Sequence, residues 1–175
     1  MNLKVNEIMD IMNTIEYGFK DTNGKNIIND LGMWNNEFNN FYYLQEPDEL
    51  LKTKCGVCWD QVELERDLFK QNNIKFKTYF IYIAAGNYLP SHTFLTYFNE
   101  GKYYWFEHSW EKYKGIHEYR SEIALLLDIK DKFKEYNNYS NGQKLFIYSY
   151  SKPSKHINCN NLYKYIETQE LVYYE

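Results

Sequence analysis

KCGVCWDQVELERDLFK, residues 54–70, holds two of the chain's three cysteines, Cys55 and Cys58, directly ahead of a helical pattern. A pair with this spacing serves a redox couple, half of a metal site, or a nucleophile beside a bystander. The apolar periodicity predicts a helix from Cys58 to about Gln71-Asn72-Asn73. With Cys58 as its first residue, Val62 and Phe69 fall within about 40° of it around the axis. Cys58 therefore opens the stripe that packs on a sheet. A helix start presents unpaired N–H groups and the positive end of the dipole. Both favour thiolate over thiol, and the same N–H groups can hold an oxyanion. Gly56 leaves room at the entry for backbone or substrate. A small buried hydrophobe is the commoner use of a cysteine. A nucleophile needs a base, and the base needs an orienter, so the histidines decide.

There are four: His92, His108, His117 and His156. HTFLTYF (92–98), NEGK (99–102) and YYWFEHSW (103–110) predict a hairpin turning at Glu100-Gly101. Phe98 then faces Tyr103, Phe94 faces Glu107, and His92 faces Ser109. Alternation puts His92, Phe94, Thr96, Trp105, Glu107 and Ser109 on one face and His108 on the other. Glu107 becomes the diagonal neighbour of His92, about 7–8 Å away along the backbone and within side-chain reach. A carboxylate beside an imidazole fixes its tautomer and supports its charged form. A three-residue turn would exchange Glu107 for His108 on that face. Taken singly, His92 reads as a hydrogen-bonded strand-edge histidine and Glu107 as a surface carboxylate. Order lifts the combination: a helix-initial Cys, a strand, a strand-initial His, and a carboxylate on the return strand.

The rest of the chain bounds the class. Its 175 residues are 44% hydrophobic and 19% aromatic, enough for one domain over residues 1–175 with a substantial core. The 19 tyrosines, with abundant Asn, Lys and Ile, match an AT-rich genome. Net charge is −4 with no block of like charges, which argues against a nucleic-acid or membrane-surface partner. The first twenty residues lack the continuous apolar region of a signal peptide, and no run is long enough to span a membrane. A cytoplasmic location with reduced thiols follows as the expectation. Three cysteines make a poor disulfide framework.

Val5, Ile8, Met12, Ile15 and Phe19 predict a helix over 3–19, followed by a turn at 20–26. Residues 27–46 read as irregular with short helical turns, and 46–54 as a short helix with Pro47 in its first turn. A strand is predicted over 74–85, a loop over 86–91, a loop over 137–143 and a strand over 144–150. Helices are predicted over 119–136 and 160–169. The first of these carries Ile123, Leu126, Leu127, Phe133 and either Ile129 or Lys130 on one side. Helices beside a mainly antiparallel sheet give an α+β fold.

The motifs in this order resemble the transglutaminase-like cysteine enzymes, relatives of the papain-like fold. That family sets its nucleophile in G-x-C at a helix start, often with Asp two residues on. A strand follows, then a His opening the next strand, a Gly turn, a Trp, and an Asp closing the return strand. Here those positions read GVCWD (56–60), His92, Gly101, Trp105 and Glu107. PDELLKTKCGVCWD also resembles the short helix leading into the family's Cys. The match covers about residues 44–110. It departs in Thr-Phe after His92 where Ala-Trp is frequent, in Glu for Asp, and in His after the acid where Pro is usual.

The resemblance implies a Cys58–His92–Glu107 triad performing acyl transfer on a peptide or protein amide. The acyl group passes to water, as in a peptidase, amidase or deamidase, or to an amine, as in a transglutaminase. No metal or organic cofactor is called for. The Cys58 N–H is one oxyanion donor, and Gln45, Tyr43 and Trp34 are upstream candidates for the second. Trp34, Tyr42, Tyr43, Tyr88, Trp105 and Trp110 are candidates to line an apolar cleft. Three rival readings stand beside it: a catalytically inactive binding domain of the same family, a Cys55–Cys58 redox couple, and a zinc site joining Cys55 and Cys58 to His156 and Cys159.

Overall fold

In a computed structural model that describes residues 3–84 and 89–175, the two β-branched and aromatic runs at the middle of the chain form the centre of a sheet. They are β3 (Phe76–Ala84) and β4 (Ser91–Asn99), paired antiparallel. The turn out of β4 is two residues long, because Asn99 pairs with Lys102 in β5 (Lys102–Glu107). Glu100 and Gly101 both take positive φ, 50° and 80°, the conformation whose twist suits a tight hairpin. Phe98 faces Tyr103 as the alternation predicts. β6 (Gly115–Tyr119), β7 (Lys144–Ser149) and β8 (Glu170–Tyr174) complete six antiparallel strands in the order β6-β5-β4-β3-β7-β8. β1 (Glu16–Tyr17) and β2 (Cys55–Gly56) form a separate parallel pair.

Among the described residues six α-helices flank the sheet: α1 (Val5–Met12), α2 (Leu31–Phe41), α3 (Pro47–Thr53), α4 (Cys58–Gln71), α5 (Glu122–Tyr136) and α6 (Cys159–Ile166). On one face, Leu95, Tyr97 and Phe106 meet Ile8 and Met12 of α1 and Leu64, Leu68 and Phe69 of α4. On the other, Tyr79, Ile81, Phe94, Trp105 and Ile147 meet Leu125, Ile129 and Phe133 of α5. α4 is buried along its whole first half, Cys58 through Glu65.

Several elements differ from the sequence expectation. The helix expected over 3–19 ends at Met12. There the Thr14 hydroxyl donates to the Ile11 carbonyl at 2.8 Å, a local bond that competes with helix continuation, and Glu16–Tyr17 leave to pair with Cys55–Gly56. The expected irregular stretch contains α2, whose Asp30 cap accepts from the Met33 N–H at 3.0 Å. Its Trp34 and Phe38 stack at 5.2 Å while its Asn-rich side faces solvent. The buried side of α5 runs through Leu125, Ile129 and Phe133, leaving Ile123 71% exposed and Leu127 also exposed. A triple-Leu run does not fix helical phase. The edge strands β6 and β8 are short, and neither was expected. Residues 86–88 of the expected 86–91 loop, Tyr88 among them, lie outside the described residues. No helix of the described residues is long and apolar enough to cross a membrane.

Candidate active site

The loop before α4 is clamped by one buried carboxylate. Asp60 accepts from the Val57 N–H at 2.9 Å, from the Gln45 N–H at 2.9 Å and from the Tyr42 hydroxyl at 3.1 Å. Burial pushes its carboxyl up to about 7 against the pull of those three donors. Gly56 is required here. A Cβ on it would stand 2.6 Å from Leu50 Cδ1 and 2.8 Å from Asp60 Cβ. Cys58 follows as the first residue of α4, almost buried at 8% exposure. Its N–H has no intrahelical acceptor and makes no hydrogen bond among the described residues.

His92 opens the cross-strand line. Its Nε2 lies 2.8 Å from Glu107 Oε2, which leaves Nδ1 as the ring nitrogen free of the carboxylate, and Cys58 is near enough to act on the charge of the ring. Burial alone would lower the imidazole's pKa. The Glu107 charge and hydrogen bond, with the nearby Cys58 adding to them, outweigh it and raise the value to about 10. Glu107 is held below the usual range despite its burial, by the charge of His92 and by donors on both oxygens. Oε2 also accepts from Trp105 Nε1 at 3.1 Å, and Oε1 from the Trp110 N–H at 2.7 Å and the Ser109 hydroxyl at 3.2 Å. The longer Glu side chain therefore has every lone-pair direction occupied and a fixed aim.

A second line of hydrogen bonds runs beside the first. Gln61 Nε2 donates to the Gly56 carbonyl at 2.9 Å, and Gln61 Oε1 lies 2.6 Å from His108 Nδ1. The carbonyl of Gly56 can only accept, so the amide orientation follows, and His108 carries its proton on Nδ1. Burial pushes the His108 imidazole down to about 4, with Lys114 adding to the effect. His108 is thus a neutral ring beside a charged one.

His92 lines an open cleft of about 550 Å³ together with Tyr17, Ser91, His108, Trp110 and Tyr136. Trp110 stands edge-on to His92, ring centres 5.2 Å apart. Cys58 is not among the residues that line this cleft.

The sequence-chosen residues divide clearly. Cys58, His92 and Glu107 come together, and Trp110 lines the cleft. Gln45 is spent elsewhere: its Nε2 donates to the Cys55 carbonyl at 3.0 Å and its Oε1 accepts from Thr53 at 2.7 Å. Tyr43 is 50% exposed and stacks edge-on with His156. Trp34 packs on Phe19 and Phe38. Trp105 is fully buried and serves Glu107, and Tyr42 is buried on Asp60. His108 leaves the Glu107 face as alternation predicts, yet it joins the cleft wall because β5 ends at Glu107 and the chain turns. Sequence reading missed Gln61 and Tyr17. Gln61, three residues after Cys58, carried a positional signal; Tyr17 carried none.

All three cysteines are free thiols. The four residues of the zinc alternative do not assemble: His156 pairs with Glu49 at 3.0 Å, and no three His, Cys, Asp or Glu of the described residues are grouped for a metal ion. The redox alternative meets two thiols in different settings, for Cys55 faces a separate recess with Phe19, Gln45 and Thr53.

A family model described as a transglutaminase-like domain matches residues 3–138. No curated protein matches the chain.

Proposed function

The chain belongs to the transglutaminase-like family, and from that premise we propose that it is a cysteine enzyme of acyl transfer acting on a peptide or protein amide. The observation that carries this reading is the buried line Cys58–His92–Glu107 at the start of α4. In it Glu107 keeps the imidazole of His92 charged beside the nucleophile.

With the Cys58 thiol proton held on His92, Sγ attacks the amide carbon, forming the S–C bond and moving the carbonyl π pair onto oxygen. When that oxyanion collapses, the C–N bond breaks, and the leaving amine takes a proton from His92 Nδ1. Water or an amine then bonds to the thioester carbon and gives a proton back to the same nitrogen, and the S–C bond breaks to release the Cys58 sulfur. Glu107 holds the ring with Nδ1 toward Cys58 and stabilises its charge throughout. Every step uses the chain's own side chains.

Alkylation tests the reading. Iodoacetamide should modify Cys58 faster than Cys55 or Cys159, whose thiols burial pushes up to about 11, although Cys159 is the most exposed of the three. His92→Ala should slow the Cys58 reaction alone. Equal rates at the three sites, read by peptide mass, would sink the proposal.

A further inference from the structure

We infer that Tyr17 is a catalytic residue whose phenol O–H is the second oxyanion donor, opposite the Cys58 N–H. The inference rests on the acyl-transfer reading above and gives its tetrahedral intermediate a partner that Gln45, Tyr43 and Trp34 cannot supply.

The backbone of Tyr17 is fixed against the nucleophile loop. Tyr17 pairs with Gly56 in the parallel β1–β2 register, and the flanking bonds Glu16 N–H to the Lys54 carbonyl at 2.8 Å and Gly18 N–H to the Gly56 carbonyl at 3.3 Å hold it there. Asn26 Nδ2 donates to the Tyr17 carbonyl at 3.1 Å. Gly18, at φ +149°, lets Asn26 come that close, since a Cβ there would lie 2.1 Å from Asn26 Oδ1. Neighbours in a parallel pair send their side chains the same way. A Cβ on Gly56 would point between Leu50 of α3 and Asp60 in the first turn of α4, and the nearness of Tyr17 to Cys58, Asp60 and Glu107 puts its phenol on the α4 side.

Three properties suit the phenol to the task. It forms a wall of the cleft that holds His92, with the residue as a whole 37% exposed and its phenol end the more enclosed part. Its hydroxyl makes no hydrogen bond among the described residues, which leaves the donor free. Loss of solvent raises its pKa well above the usual range, and the charges that Cys58, Asp60, Glu107 and Tyr136 can carry add to the effect. It therefore stays protonated through the working pH. When Cys58 Sγ bonds to the carbonyl carbon, the electron pair that moves onto oxygen meets the Tyr17 O–H on one side and the Cys58 N–H on the other. No proton need change hands, and collapse returns the pair to the C=O.

Two reagents for the same sulfur separate this role from a structural one. p-Nitrophenyl acetate acylates through a tetrahedral oxyanion, whereas iodoacetamide alkylates by direct displacement and forms none. Tyr17→Phe should lower the rate of Cys58 acetylation by about 10²–10³-fold, the usual loss for one oxyanion donor, and leave the iodoacetamide rate at Cys58 unchanged. Unchanged acetylation would overturn the inference, and so would an equal fall in both rates, which would make Tyr17 a support of the loop. A wild-type Cys58 that acetylates no faster than Cys159 would instead bring down the acyl-transfer reading beneath it.

Discussion

Cys55 and Cys58 stand three residues apart on one loop, both reduced and both buried, and the two sides of that loop are chemically unlike. On the Cys58 side lie a charged imidazole, a carboxylate bonded at both oxygens, a free helix N–H and an open cleft of about 550 Å³. On the Cys55 side lies a smaller recess of about 330 Å³ without a histidine in its lining. Burial, followed by the Glu16 carboxylate, pushes the Cys55 thiol up to about 11. The C-x-x-C spacing says nothing of this division. What assigns the chemistry is the partner each sulfur receives from a distant part of the chain.

The comparison breaks most sharply at Glu107. Glu107→Gln keeps shape but removes the charge that supports imidazolium, so acyl transfer should fall by about 10²–10⁴-fold, as for other orienting carboxylates. Ester or amide turnover measured beside the melting curve separates this from misfolding. Near-normal turnover would leave the Cys58 side no different in kind from the Cys55 side.

pH gives a second, smaller handle. The folded value of His92 is raised from 6.5 to about 10. Its contribution to stability is therefore full below about 6.5 and is lost as pH climbs through 10. The folded value of Glu107 is lowered from 4.5, so its contribution is full above 4.5 and is lost as acid reaches the lowered value. Between these limits the pair is ionised and the melting temperature should be highest. Thermal melts from neutral pH to beyond pH 10 should show an alkaline fall that Glu107→Gln reduces. An identical alkaline fall in the variant would place its origin elsewhere.

The smallest effect is expected at Cys55. Cys55→Ala removes one buried sulfur, so stability should drop by about 1 kcal/mol while Cys58 alkylation and turnover stay close to wild type. A loss matching that of Glu107→Gln would show that the two cysteines act as one couple.

What could be read from the sequence was local. The hairpin register was fixed by Glu100-Gly101 and the alternation on either side, and with it the meeting of His92 and Glu107. The helix start at Cys58 was legible because apolar spacing begins there. Tyr17 was illegible, since its two-residue strand exists only through pairing with positions 55–56, and apolar spacing through Ile15 and Phe19 spoke for a longer helix. Gln45 looked like a donor by its place before the Cys, but an amide has few hydrogen bonds to give, and Cys55 and Thr53 take them. His108 was placed on the correct face, but alternation carries no information past the end of β5.

The parallel pairing of β1 with β2 also sets an order of events. His92 and Glu107 meet across 15 residues through a hairpin, a short closure that forms early. Tyr17 must find Gly56 from much farther along the chain, by a contact that no local turn assists. The base and its orienter are thus joined by a local contact and the cleft wall at Tyr17 by a distant one. On the proposed acyl-transfer reading, full turnover requires the amino-terminal segment to be docked on positions 55–56.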